Sequence, residues 1–108
     1  MKSRNLEFSE QASAMSAVQD LTKAIAAADA QIADGIKQLA FAEAMLVSVV
    51  AELKAAPKKE HLIASKKAWR ASIEAFLVSN AFYQSVVDRH TVEIYAILKR
   101  TPEARLEN

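Results

Sequence analysis

VQDLTKAIAAADAQIADGIKQLAFAEAMLVSVVAELKAA, residues 18–56, decides the fold. Every seventh residue from its start is large and apolar: Val18, Ile25, Ile32, Leu39, Leu46 and Leu53. A second set at the same period is mostly small: Leu21, Ala28, Gly35, Ala42, Val49 and Ala56. Large residues at heptad position a with small ones at d describe a helix that a partner helix can approach closely. Nothing between about Ser9 and Ala55 stops such a helix. Gly35 falls on the d seam and costs only about 1 kcal/mol relative to alanine. The expectation is one helix over about 9–55, roughly 70 Å long at about 1.5 Å per residue. Two helices broken at Gly35 are the alternative. Asn5 and Ser9 both offer a side chain that could cap the start.

The partner helix lies further along the same chain. Ala55-Ala56-Pro57-Lys58-Lys59 is the strong central break, because proline cannot continue a helix but suits the first turn of the next. A turn at about 56–58 and a second helix at about 58–100 follow. Thr101-Pro102 ends that helix, and residues 103–108 are expected to form a flexible tail. The second helix has a column of Leu62, Trp69, Phe76, Tyr83, His90 and Ile97 at d, and Lys66, Ile73, Asn80, Val87 and Ile94 at a.

Folding the chain back at Pro57 pairs residues whose numbers sum to 115. Leu39 then meets Phe76, Gly35 meets Asn80, Ile25 meets His90 and Val18 meets Ile97. Each layer joins an a of one helix to a d of the other, as antiparallel packing requires, and bulky layers alternate with slim ones. On the e flank the same register puts Val50 beside Ile63, Glu43 beside Arg70 as an ion pair, and Ile36 beside Leu77. The predicted fold is therefore all-α: a single-domain, long antiparallel helical hairpin, a two-helix coiled coil spanning 1–108.

Composition agrees with this and narrows the function. With 22 alanines against one glycine and two prolines in 108 residues, little but helix can be read. Fourteen basic and 13 acidic residues leave a net charge of +1, so no overall field draws nucleic acid or an anionic membrane. The absence of cysteine fits a reducing cytoplasm. The opening residues lack the apolar core of a signal peptide, and the longest uncharged run, residues 75–87, is too short and polar to span a bilayer. A soluble cytoplasmic protein is expected.

A hairpin has one seam to bury, yet this one carries further apolar stripes. Phe41 and Met45 lie on one flank of the first helix, and Ala75, Val78, Phe82 and Val86 on the same side of the second. Val47 joins Ile36, Val50, Ile63 and Leu77 on the opposite flank. That much apolar surface predicts a homo-oligomer, with a dimeric four-helix bundle first, or a surface kept for another protein. Phe41, Met45, Val78, Phe82 and Val86 are the candidate interaction residues. Gly35 with Asn80 is the candidate register device, since a buried amide at an a position commonly sets alignment and partner number.

Catalytic and metal chemistry find little support. His90 reads as a satisfied histidine in the seam; neither it nor His61 has a glutamate three residues before it, as di-iron bundles require. No zinc spacing or glycine-rich phosphate loop is present, and no cofactor is expected. The Trp69, Phe76, Tyr83 column is core by its spacing. Lys54, Lys58, Lys59, Lys66, Lys67 and Arg70 crowd the hairpin tip; they read as a solvated turn, or as a grip for an acidic partner or a phosphate backbone.

A proline turn followed by Leu62, Ser65, Ile73, Phe76 and an apolar helix to Leu98 resembles, in outline, the short helical hairpins of bacterial type III secretion: needle and inner-rod subunits and their small coiled-coil chaperones. The resemblance covers the second half of the chain and rests on features general to hairpins of this size; the first helix is longer than a needle subunit's. It would imply a polymerising subunit or its chaperone. The residues themselves point to a non-enzymatic protein–protein interaction module, a coiled-coil adaptor, chaperone or regulator acting as an oligomer. A structural subunit of a helical assembly and a small nucleic-acid-binding bundle using the tip are the alternatives.

Overall fold

The computed structural model describes the backbone of residues 2–101 and the side chains from Glu10 onward. It is a helical hairpin of two elements, α1 (Lys2–Ala55) and α2 (Glu60–Arg100). The helix α1 begins upstream of the expected start near Ser9. Residues 2–9 contain neither glycine nor proline, so neither Asn5 nor Ser9 has to act as a boundary. Through Gly35 the helix is unbroken, and Gly35 keeps a negative φ, so the two-helix alternative does not occur. The expected flexible tail, 103–108, lies outside the described residues.

The turn is one residue longer than the proline alone suggests. The Ala56 amide donates to Glu52 O (3.0 Å) and closes α1, and the Lys59 amide then donates to Ala56 O (3.3 Å) across Pro57 and Lys58. Proline occupies the second position of that turn, where its fixed φ near −65° is already correct. The carbonyl of Lys59 accepts from the amides of Leu62 (3.1 Å) and Ile63 (3.2 Å), so Lys59 stands at the N-terminal boundary of α2. Pro57 therefore belongs to the turn, not to the first turn of α2. Glu60 in the first turn of α2, and Lys54, Lys99 and Arg100 in the last turns of the two helices, complement the helix dipoles. At the far end, the Thr101 amide bonds to Ile97 O (3.0 Å) before Pro102, which has no amide proton to continue.

Each helix contributes to two compact units. One, here the turn unit, is Ala30–Tyr83; the other, the terminal unit, joins Met1–Asp29 with Gln84–Asn108. In the turn unit the small seam residues Gly35 and Ala42 are buried, with Val49 and Leu62, and Ala42 is 0% exposed. The bulky seam residues Ile32, Leu39, Leu46, Leu53, Trp69, Ile73, Phe76 and Tyr83 are half-buried. In the terminal unit Ala28 and Ile97 are buried, and Val18, Leu21, Ile25, Val87, His90 and Ile94 are half-buried. The large apolar seam positions expected from the heptads are thus withdrawn at least partly from water.

Among the described residues no side chain of large volume is fully buried. The cause is architectural. A side chain between two helices is covered from across the seam but open above and below, whereas a core residue in a layered domain is covered on all sides.

Candidate functional site

Three features of the turn unit carry its chemistry: an amide lodged against a glycine, two apolar flanks, and a basic end.

The first brings together the two residues expected to set register. A Cβ built on Gly35 would collide with Asn80 Oδ1 and lie 3.0 Å from Cγ and 3.3 Å from Nδ2. Only a residue without a side chain leaves room for the amide here. Asn80 Oδ1 is buried and has no conventional hydrogen-bond donor. An amide oxygen buried without a donor is costly, so the pair is a poor source of stability.

On the first flank Phe41, Val78 and Phe82 are 57–71% exposed, while Met45 is half-buried. Val86, the remaining residue of the predicted stripe, is half-buried and belongs to the terminal unit. The two phenylalanines are anchored from within. The Phe41 ring stands edge-on to Trp69 (centroids 5.7 Å apart, 74° between planes), and Phe82 stands edge-on to Tyr83 (5.4 Å, 73°). Edge-to-face contacts of this kind hold exposed rings in defined orientations. The heptad spacing places these rings on an outer stripe but does not reveal that they lean on the aromatic column.

The opposite flank exposes Ile36, Val47, Ile63 and Leu77. Here the structure corrects an expectation. Among the described residues the one pair of basic and acidic side chains within 4.0 Å of each other is His90 and Glu93, so the predicted Glu43–Arg70 bridge is not made within the chain. Both side chains are exposed, and a pair in water gains too little to hold two long side chains in one geometry.

At the end, Lys54, Lys58, Lys59, Lys67 and Arg70 are exposed and Lys66 is half-buried. Lys66, Lys67 and Arg70 line an open groove with Ile63, Ala71 and Glu74, all from one face of α2.

His90, in the terminal unit, also departs from expectation. It occupies the seam, with 19% of its side chain exposed, but it is not satisfied: Nδ1 is buried without a hydrogen-bond partner, and Glu93 Oε2 lies 4.0 Å away. That carboxylate three residues on is legible in the sequence as His-x-x-Glu, whereas the di-iron pattern places its glutamate before the histidine.

Hydroxyls are turned to local use. Thr22 Oγ1 donates to Val18 O (2.7 Å), Ser72 Oγ to Ala68 O (3.1 Å) and Thr91 Oγ1 to Val87 O (2.7 Å), each bonding back one helical turn. Among the described residues no group of three His, Asp or Glu side chains could hold a metal ion, and no helix is long and apolar enough to cross a membrane. No family model, no curated protein and no solved structure matches this chain.

Proposed function

We propose that this protein is a non-enzymatic protein–protein interaction module, a small coiled-coil adaptor or chaperone that works as an oligomer in the cytoplasm. The observation that carries the reading is the turn unit's surface. Seven large apolar side chains, Ile36, Phe41, Val47, Ile63, Leu77, Val78 and Phe82, stand at least half exposed there, on both flanks of one helix pair. Apolar flanks exposed to this degree mark protein contact. Anchored aromatic rings are the side chains that most often dominate such contacts.

Two double variants test it: Phe41→Ser/Phe82→Ser on one flank and Ile63→Ser/Leu77→Ser on the other. Mass in solution is followed by light scattering over a range of concentrations, and helicity by circular dichroism. The expected outcome is a wild-type mass above that of one chain, lowered by at least one variant with helicity retained. A wild type that stays monomeric at every concentration, or two variants with unchanged mass, would remove the basis of the proposal.

A further inference from the structure

The flank carrying Ile36, Glu43 and Val47 on α1 and Ile63, Arg70 and Leu77 on α2 lies wholly within the turn unit. Its four large apolar residues are 50–70% exposed. Amid them sit one acid and one base that do not bridge to each other. We propose that this flank is the docking face for a second copy of the chain, related by a two-fold axis parallel to the helices, in which Glu43 meets the partner's Arg70 and Arg70 meets the partner's Glu43. The inference deepens the oligomeric reading above and rests on it.

Charge complementarity selects both the occupant and the geometry. A two-fold contact uses the same patch on both copies, so the patch must complement itself. A face-to-face pair of hairpins has two simple choices of axis. With the axis across the helices at the level of this charged pair, α1 lies on the partner's α1, and glutamate faces glutamate while arginine faces arginine. With the axis along the helices, α1 lies on the partner's α2. The register that places Glu43 beside Arg70 within one chain then places it over the partner's Arg70.

The rest of the face follows in the same alignment. Ile36 lies over the partner's Leu77, Val50 over the partner's Ile63, and exposed Lys54 over the partner's Glu60. Lys67 and Glu74, the other charged residues of the face, meet the partner's Val47 and the partner's Ala40, so no like charges oppose. Every helix then has antiparallel neighbours, the arrangement of an up-down-up-down four-helix bundle. The phenylalanine flank lies outside this contact.

The test uses the full chain with single charge reversals, Glu43→Arg and Arg70→Glu, studied alone and mixed. Both sites are exposed and form no ion pair among the described residues, so helicity should be unchanged. In sedimentation equilibrium each variant alone should self-associate at least roughly tenfold more weakly than wild type, because like charges now face each other. An equimolar mixture should regain wild-type affinity as a heterodimer. There the arginine introduced at position 43 of one variant meets the glutamate introduced at position 70 of the other, and the native Arg70 of the first meets the native Glu43 of the second. That pairing of opposite charges forms only between different copies. Unchanged affinity of the single variants, or a mixture no tighter than its parts, overturns the proposal. If the charge reversals do nothing while Phe41→Ser/Phe82→Ser lowers the mass, the interaction-module reading stands and this face is the wrong one. If wild type never associates, both fall.

Discussion

The turn unit and the terminal unit are cut from the same two helices and follow the same heptads, yet they present different surfaces. Of nine large apolar side chains exposed among the described residues, seven lie in the turn unit and only Val92 and Tyr95 in the terminal unit. Their seams differ in kind as well. The turn unit fits an amide against a glycine, whereas the terminal unit holds a histidine whose Nδ1 has no partner. The contrast separates two tasks that one helix pair must perform. Seam residues decide that the chain folds back on itself; flank residues decide what the folded pair can touch. Because 3.6 residues make a turn, the two sets alternate along each helix and can vary independently.

If the seam is equivalent in both units, its buried leucine and isoleucine should matter alike. Leu62→Ala in the turn unit and Ile97→Ala in the terminal unit start from similar exposure, 7% and 8%. Each should lower stability by about 2–4 kcal/mol in urea denaturation, through lost apolar burial and the cavity left behind. A cost near zero at Ile97 with a full cost at Leu62 would show that only the turn unit carries cooperative stability.

A smaller effect sharpens the difference between the seams. Gly35→Ala would normally stabilise a helix by about 1 kcal/mol. Here the new methyl group must displace the Asn80 amide, so a net loss of about 1 kcal/mol is expected, recovered in Gly35→Ala/Asn80→Ala. Thermal melting of the two variants measures it. A stabilised single variant would show that the amide swings aside at no cost and sets no register.

The smallest effect belongs to the basic end. Lys58→Gln/Lys59→Gln should change stability by less than about 0.5 kcal/mol, since both side chains are exposed. Titration of wild type with generic DNA or RNA should give no measurable binding at physiological salt. Tight, salt-resistant binding that the double variant abolishes would make this end, not the flanks, the distinguishing surface of the turn unit.

Much of this architecture is legible in local order along the chain. The period of Val18, Ile25, Ile32 and Leu39, the answering period of Leu62, Trp69, Phe76 and Tyr83, and a single proline between them determine two helices and a fold-back. Periodicity and the missing proline amide proton act within a few residues and need no knowledge of the third dimension. The pairing of Gly35 with Asn80 is readable too, because antiparallel register converts residue number into position.

Only the tertiary structure decided what the side chains do once placed. Glu43 and Arg70 share a flank yet do not bridge, Phe41 tips onto Trp69, Lys59 takes the helix boundary from Pro57, and Asn80 Oδ1 and His90 Nδ1 enter the seam without donor or acceptor. Those outcomes depend on rotamers, on distances of a few tenths of an ångström and on competition with water, quantities that a repeat of seven does not encode.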